Sequence, residues 1–406
     1  MRVLHFLTQR PGWTGSGTTL HALVDWARCK GIDQRVLCLL PVGEEVPQVG
    51  GLGREQIDVV DCGEGGTLPF AIPGMSDVMP YASTVFGEMS PEELRLYCQV
   101  LRSALQRAID DFQPDVIHAH HAWIGAGIAC ELAGSTPVVL HGHGTGLRQM
   151  GLLPHLEDRV RNGLQNIAGI CVLHQQHAQD YARVLRIGSD RVHQVGAGFD
   201  RRLFQAPVKP ASPGTLLFAG KFADAKGLGP LLEAFRALRM ERPHLELAIA
   251  GAGSGEEGKR LLRSMEATEG VRILGRLTPG KLAIAMGQAE VFVLPSLFEG
   301  LPLVLVEAAA CGCRLVSNDL PGVRSGLAAA LADRMHLCPL PKLVGPDRLA
   351  PGAASGFTED LARVLGEALD AGPAPRPTAE TCAAFDWSAV AEKVERVWMC
   401  VTDRRG

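Results

Sequence analysis

Short apolar runs alternate with longer stretches of helical period along almost the whole chain, the pattern of parallel strands joined by crossover helices. The spacing predicts one series of strands at Arg2–Leu7, Gln34–Leu40, Asp115–His120, Pro137–His141 and Gly169–Leu173. A second series follows at Thr215–Ala219, Leu245–Ala250, Val271–Leu274, Val291–Leu294 and Arg314–Ser317. Between the series, Gln205–Pro213 holds Pro207, Pro210 and Pro213 and is too proline-rich for either element. It reads as a linker with a boundary near residue 210. The expected fold class is α/β, with Rossmann-like doubly wound parallel-sheet domains over 1–206 and 207–384 and a helix over 385–406 that returns to the first domain. Ligands in open parallel sheets bind beyond the carboxyl ends of the strands, so two such sheets imply a cleft. The segment Pro41–Pro91 breaks the rhythm and reads as a long structureless insertion, a binding loop or a surface excursion. Near the end, Asp386 is a candidate helix cap, and Ser388–Val401 carries an apolar stripe at Val390, Ala391, Val394, Val397 and Trp398 that needs a surface to cover.

Composition narrows the function classes. At 406 residues and 46% apolar, the chain can bury two ordinary cores. Lys and Arg total 40 against 44 acids, and no long basic block is present to neutralise phosphates, so nucleic acid is not an expected partner. Aromatic residues make up 5%, so base-stacking platforms are scarce. The eleven cysteines are scattered with no C-x-x-C, which suits reduced thiols in a cytoplasm. No apolar run approaches the ~18 residues of a spanning helix. The expectation is a cytoplasmic protein, at most peripheral at the inner face of the cell membrane.

Candidate chemistry concentrates in the second half. Phe298-Glu299-Gly300-Leu301-Pro302 leads from a strand into an apolar helix that contains Glu307. Free N–H groups at such a terminus attract phosphate. With a helical rise throughout, the two acids would stand roughly 12 Å apart, the span from a sugar to a ribose across a diphosphate. The bland alternative makes Glu299 a capping charge and Glu307 a solvated residue. Gly220-Lys221 ends a strand and Lys226 follows five residues on, placing two ammonium groups to neutralise a diphosphate leaving group. Gly251–Gly255 resembles a dinucleotide loop, but Glu256 stands at the third glycine position; Gly253–Lys259 has P-loop spacing, but Arg260 replaces the magnesium-binding hydroxyl. In the first half, period-two spacing puts His118 with His120, and His141 with His143, on shared strand faces. A metal site is one reading; with little acid and no cysteine nearby, polar cleft contacts are preferred and no metal is expected. Gly12–Gly17 joins the first strand to a helix beginning near Thr18, where glycines allow close approach of an anion.

Taken together, these motifs resemble the retaining glycosyltransferases of the GT-B fold, glycosyltransferase family 4. The resemblance runs through Gly220-Lys221, Lys226-Gly227, Ala250–Gly253, Pro295-Ser296, Glu299–Pro302 with Glu307, and Ala310-Cys311-Gly312. It is looser through Pro114–His120, His143-Gly144-Thr145 and Gly198-Phe199-Asp200. It implies a retaining enzyme that moves a sugar from a nucleotide-diphosphate sugar to a hydroxyl acceptor, needs no cofactor, and serves bacterial glycoconjugate or surface polysaccharide assembly. On that likeness Glu307 would hold the ribose, Lys221 and Lys226 the diphosphate, and Glu299 with Gly300, Leu301, Pro302 and Leu303 the donor sugar. Gly220, Gly251 and Arg276 would complete the donor side. His143 or His141 would line the acceptor side with His120, and the family's glycine loop aligns with Gly15, Ser16 and Gly17. Lys221 replaces an arginine, Leu320–Arg324 replaces paired glycines and a glutamate, and Gly146 stands where an acid is common. The competing readings are a non-catalytic nucleotide-sugar binding protein and a nucleotide-sugar epimerase or hydrolase.

Overall fold

The computed structural model describes residues 1–76, 79–208, 212–378 and 380–403. The chain divides into two compact units, residues 1–197 with 387–406, and residues 198–386. Strands of the first are β1 (Arg2–Leu7), β2 (Asp33–Pro41), β3 (Ile57–Cys62), β4 (Val116–His120), β5 (Val138–His141), β6 (Gly169–Val172) and β7 (Val192–Gln194). Those of the second are β8 (Ser212–Ala219), β9 (Glu246–Ala250), β10 (Val271–Gly275), β11 (Ala289–Leu294), β12 (Arg314–Asn318) and β13 (Met335–Cys338). Between the strands run α1 (Gly15–Cys29), α2 (Pro91–Phe112), α3 (Ile124–Leu132), α4 (Thr145–Leu152), α5 (Pro154–Gly163), α6 (Gln175–Leu185), α7 (Leu228–Glu241), α8 (Gly255–Glu266), α9 (Pro279–Gln288), α10 (Leu303–Ala310) and α11 (Pro321–Gly326). The helices α12 (Ala354–Asp370) and α13 (Trp387–Asp403) follow.

In the first unit the strand order is β3-β2-β1-β4-β5-β6-β7; in the second it is β10-β9-β8-β11-β12-β13. Pairing is parallel throughout both sheets, which explains the near-continuous apolar strands: helices cover both faces. Each order reverses once, between β1 and β4 and between β8 and β11.

Three expectations change. The insertion over 41–91 is not structureless, because β3 pairs along β2 from Val36↔Ile57 to Pro41↔Cys62. An edge strand tolerates Asp58 and Asp61, which hid it in the pattern. The division between units falls at Ala197–Gly198, before the expected linker, because Phe199 and Phe204 are buried in the core of the second unit. Pro213 lies within β8, at an irregular start where a proline is tolerated. Pro210, and the boundary placed there, lies outside the described residues.

Helix α13 completes the first unit. Its stripe Val390, Ala391, Val394, Val397, Trp398 and Val401 packs in one cluster with Val3, Leu23, Val116, Val139 and Cys171. The indole Nε1 of the buried Trp398 donates to His118 Nδ1 at 3.0 Å. Among the described residues, no helix is long and apolar enough to cross a membrane.

Candidate active site

The second sheet's order reverses between β8 and β11, the position at which parallel sheets bind ligands beyond their strand ends. The β8 loop carries Gly220, Lys221 and Lys226, and the β11 loop carries Pro295 to Pro302. Lys226 Nζ donates to Glu299 Oε1 at 2.5 Å across this junction, with each side chain about one-fifth exposed. Backbone contacts draw the loops together. Leu297 N donates to Ala225 O at 2.8 Å, and Asn318 Nδ2 on β12 donates at 3.0 Å to both Pro295 O and Ser296 O. Gly227 has φ 68°, and a Cβ there would lie 2.2 Å from Pro295 O, so only glycine brings the start of α7 this close. Gly251 is tighter still, since its Cβ would lie 1.8 Å from Gly220 O.

Glu307 stands alone in an otherwise apolar helix. Helix α10 begins only at Leu303, with Pro302 at its N-cap, so Glu299, Gly300 and Leu301 are loop. The separation derived from a helical rise therefore does not apply. Burial pushes the Glu307 carboxyl up to about 7. It has no side-chain partner among the described residues, so it is an acceptor waiting for donors that a ligand can bring. Arg276 lies exposed just beyond β10. The P-loop reading fails on geometry: a Cβ on Gly253 would lie 2.7 Å from Gly258 Cα and 2.8 Å from Phe222 O, so these glycines serve packing. Lys259 is engaged at the surface by Glu256 at 2.8 Å. At the loop after β12, Arg324 Nε donates to Asp319 Oδ1 at 2.7 Å, and Pro321 opens α11.

The first unit presents a different chemistry at its own reversal. Register sets His5 beside His118 and His120 beside His141 on adjacent strands. Their rings form a stack: His118–His141 at 5.4 Å, His120–His143 at 5.4 Å and His141–His143 at 4.7 Å between centroids. His120 and His141, expected on the acceptor side, are each 1% exposed. They stand behind His143, which follows β5 and keeps partial exposure. His120 Nδ1 and His143 Nε2 lie 3.1 Å apart. His121, with φ 69°, places Nδ1 2.9 Å from Thr145 Oγ1.

Two tautomers follow from the partners. His5 Nε2 faces the amide oxygen of Gln34 at 3.0 Å, which only accepts, so Nε2 carries the proton. His118 Nδ1 accepts from Trp398, so its proton sits on Nε2. Burial holds His5 and His141 near 4 and His121 near 3, and lowers His118, His120 and His143 well below the ordinary range. The stack is therefore neutral at pH 7.

In the glycine loop after β1, Thr14 caps α1 by accepting from Gly17 N at 3.1 Å. A Cβ on Gly17 would lie 2.3 Å from Gly12 N, so Gly17 closes the loop onto the helix rather than admitting a ligand. Gly15 faces open space, and Ser16 is buried against Thr14 at 3.1 Å. Gly146 is explained in the same way, because a Cβ there would lie 2.5 Å from Ala122 O. Sequence reasoning overlooked Trp13, whose signal was its position between Gly12 and Gly15. It also overlooked Asn318, which carries no motif.

The family model of the glycosyl transferase 4-like domain matches residues 14–198, and that of glycosyl transferases group 1 matches residues 199–330. The chain is 32% identical over 222 residues to a phosphatidyl-myo-inositol mannosyltransferase of Mycolicibacterium smegmatis, a match covering 53% of each. Thus it spans about half the length of that relative. It is 25% identical over 406 aligned residues to a glycogen synthase of Mycobacterium tuberculosis, covering 89% of this chain and 94% of that one. Among solved structures, sucrose-phosphate synthase from Thermosynechococcus elongatus superposes with a TM-score of 0.72 at 16% identity, over 99% of each chain. Alr3699/HepE of Anabaena, solved with UDP and glucose, gives 0.63 at 14% identity over 98% of this chain and 100% of that one. These likenesses show the GT-B fold. The chain belongs to the glycosyltransferases, joining a glycosyl transferase 4-like domain in its first half to a glycosyl transferases group 1 domain in its second.

Proposed function

We propose that this chain transfers a sugar from a nucleotide-diphosphate sugar to a hydroxyl acceptor with the anomeric configuration retained, in bacterial glycoconjugate or surface polysaccharide assembly. The observation that carries this reading is the isolated Glu307 in the helix entered from a loop junction bridged by Lys226 and Glu299, at the reversal of a parallel sheet. A carboxylate without partners suits the vicinal hydroxyls of a ribose, each of which donates one hydrogen bond. Lys226 and Lys221, on the β8 loop, supply positive charge where a diphosphate gains negative charge as it leaves. Entry of a diphosphate would compete with Glu299 for Lys226, releasing the carboxylate toward the sugar hydroxyls. Positioning and leaving-group stabilisation then supply the catalysis, and the departing phosphate can take the acceptor proton.

No resident metal or cofactor enters this scheme. In this reading His143, which keeps partial exposure, meets the acceptor, with His120 and His141 packed against it. Of the relatives named above, one is by name a mannosyltransferase and one a glycogen synthase, and UDP accompanies one structural neighbour. A thermal-shift panel of UDP-, GDP- and ADP-sugars identifies the donor. Product analysis by NMR then reads the anomeric configuration; an inverted product, or donor binding with neither transfer nor hydrolysis, overturns the reading.

A further inference from the structure

The loop between β1 and α1 holds one large apolar side chain in the open: Trp13 is 61% exposed. Its backbone is left-handed at φ 61°, a conformation in which a bulky residue is a genuine outlier. The preceding Gly12 is also left-handed, at φ 80°. Neither feature serves the core. Strain and apolar exposure concentrated on one residue, at the carboxyl edge of a parallel sheet beside the order reversal, point to a ligand.

The indole is also held in place. The Arg10 guanidinium carbon lies 4.1 Å from its ring centroid. Arg10 is itself mostly buried and anchored, with Nε donating to Glu44 Oε2 at 3.1 Å. One face of the ring is thus backed by a fixed cation, and the side chain is presented as a plate rather than a mobile arm. Next to it in the loop are hydrogen-bonding groups, Thr14 and the exposed backbone of Gly15, while Glu44 is held at the Arg10 guanidinium.

An apolar plate with a polar rim matches a pyranose, whose ring carries C–H bonds on a face and hydroxyls around the edge. We propose that Trp13, backed by Arg10, is a carbohydrate-ring subsite on the first unit that stacks a sugar of the acceptor. The name acceptor rests on the transfer reading; the binding of a pyranose ring does not.

The test uses the full chain labelled with 5-fluorotryptophan, with the Trp13 resonance assigned by its loss in Trp13→Phe. The probes are methyl α-D-glucopyranoside and methyl α-D-mannopyranoside, with glycerol and UDP as comparisons. The Trp13 resonance moves with a glycoside and stays still with glycerol and UDP. In acceptor titrations Trp13→Ala raises KM about three- to tenfold, and Trp13→Phe, which keeps an aromatic face, recovers part of it. A Trp13 signal unmoved by both glycosides, or moved by UDP, overturns the subsite. Trp13→Gly relieves the left-handed strain and does not lower the melting temperature; a marked fall assigns the indole to packing and also overturns it. Movement with a glycoside in a protein that binds no nucleotide sugar leaves the subsite standing and removes the transfer reading instead.

Discussion

Glu307 shows how one side chain sets function against stability. Its carboxyl titrates near 7 in the folded chain and near 4.5 when unfolded, so between these values the folded state keeps a proton that the unfolded state has lost. The native state is therefore penalised as pH rises, with the full cost present above 7 and absent below 4.5. Glu307→Gln should raise stability at pH 8 by about 1–2 kcal/mol, after allowance for partial exposure, and change little at pH 4.5. Differential scanning calorimetry at the two values reads this. The same variant should weaken nucleotide diphosphate binding by about 1.5–3 kcal/mol, the range for a hydrogen bond to a charged group. Unchanged affinity by titration calorimetry would remove Glu307 from the site. Lys226 acts differently. Lys226→Ala should lower kcat by about 10²–10³ while moving donor affinity far less, because charge grows on the diphosphate only in the transition state. Equal losses in kcat and affinity would reduce its role to binding.

At the level of elements, α13 carries the sharpest expectation. Trp398 fills a buried position and supplies the proton that fixes His118, so Trp398→Ala removes packing and a buried donor together. The expected cost is about 3–5 kcal/mol, read from urea denaturation. A loss below 1 kcal/mol would show that the helix is only loosely seated. The apolar strands were legible from sequence alone. Arg2–Leu7 coincides with β1, and Val291–Leu294 falls within β11. Central strands of a parallel sheet are apolar on both faces and so read as short continuous apolar runs. The edge strands β3, β7 and β13 escaped, because one flank faces solvent and Asp58, His193 and His336 interrupt the run. The site was legible as a set of motifs but not as a geometry. The Lys226–Glu299 contact joins residues 73 positions apart, and no spacing rule reaches that far. Nor could the burial of His120 and His141 be read, since a histidine in a strand looks the same whether it faces a ligand or a core.

Across the whole molecule acid should weigh more heavily on the first unit, which holds most of the buried histidines, than on the second, where the lowered His336 is set against the raised Glu307. In the first, imidazoles that titrate near 6.5 when unfolded are held near 4 or below by burial. The unfolded chain binds more protons between those values, so stability is complete above 6.5 and falls as pH drops toward 4. Each histidine that stays neutral contributes a slope of about 1.4 kcal/mol per pH unit. In the second unit Glu307 works the other way. Calorimetry at pH 7, 6 and 5 should therefore resolve the first unit as the transition that moves down, and hydrogen exchange should show its protection lost first. Loss of protection in the second unit ahead of the first would contradict this.

The discontinuity of the first unit has a bearing on how the protein is made. The first unit's sheet is finished by Gln194, yet the helix that seals one of its faces begins only at Trp387, after the entire second unit. At 5–20 residues per second, a ribosome needs roughly 10–40 s to cover that interval. Throughout it, His118 lacks the indole that donates to its Nδ1, and the apolar floor around Val3, Val116 and Val139 lacks the stripe that covers it. The later-translated unit is the one that can mature without delay, while the earlier one waits as a nascent intermediate with an exposed face that a chaperone can occupy. The order of synthesis and the order of completion are thus reversed.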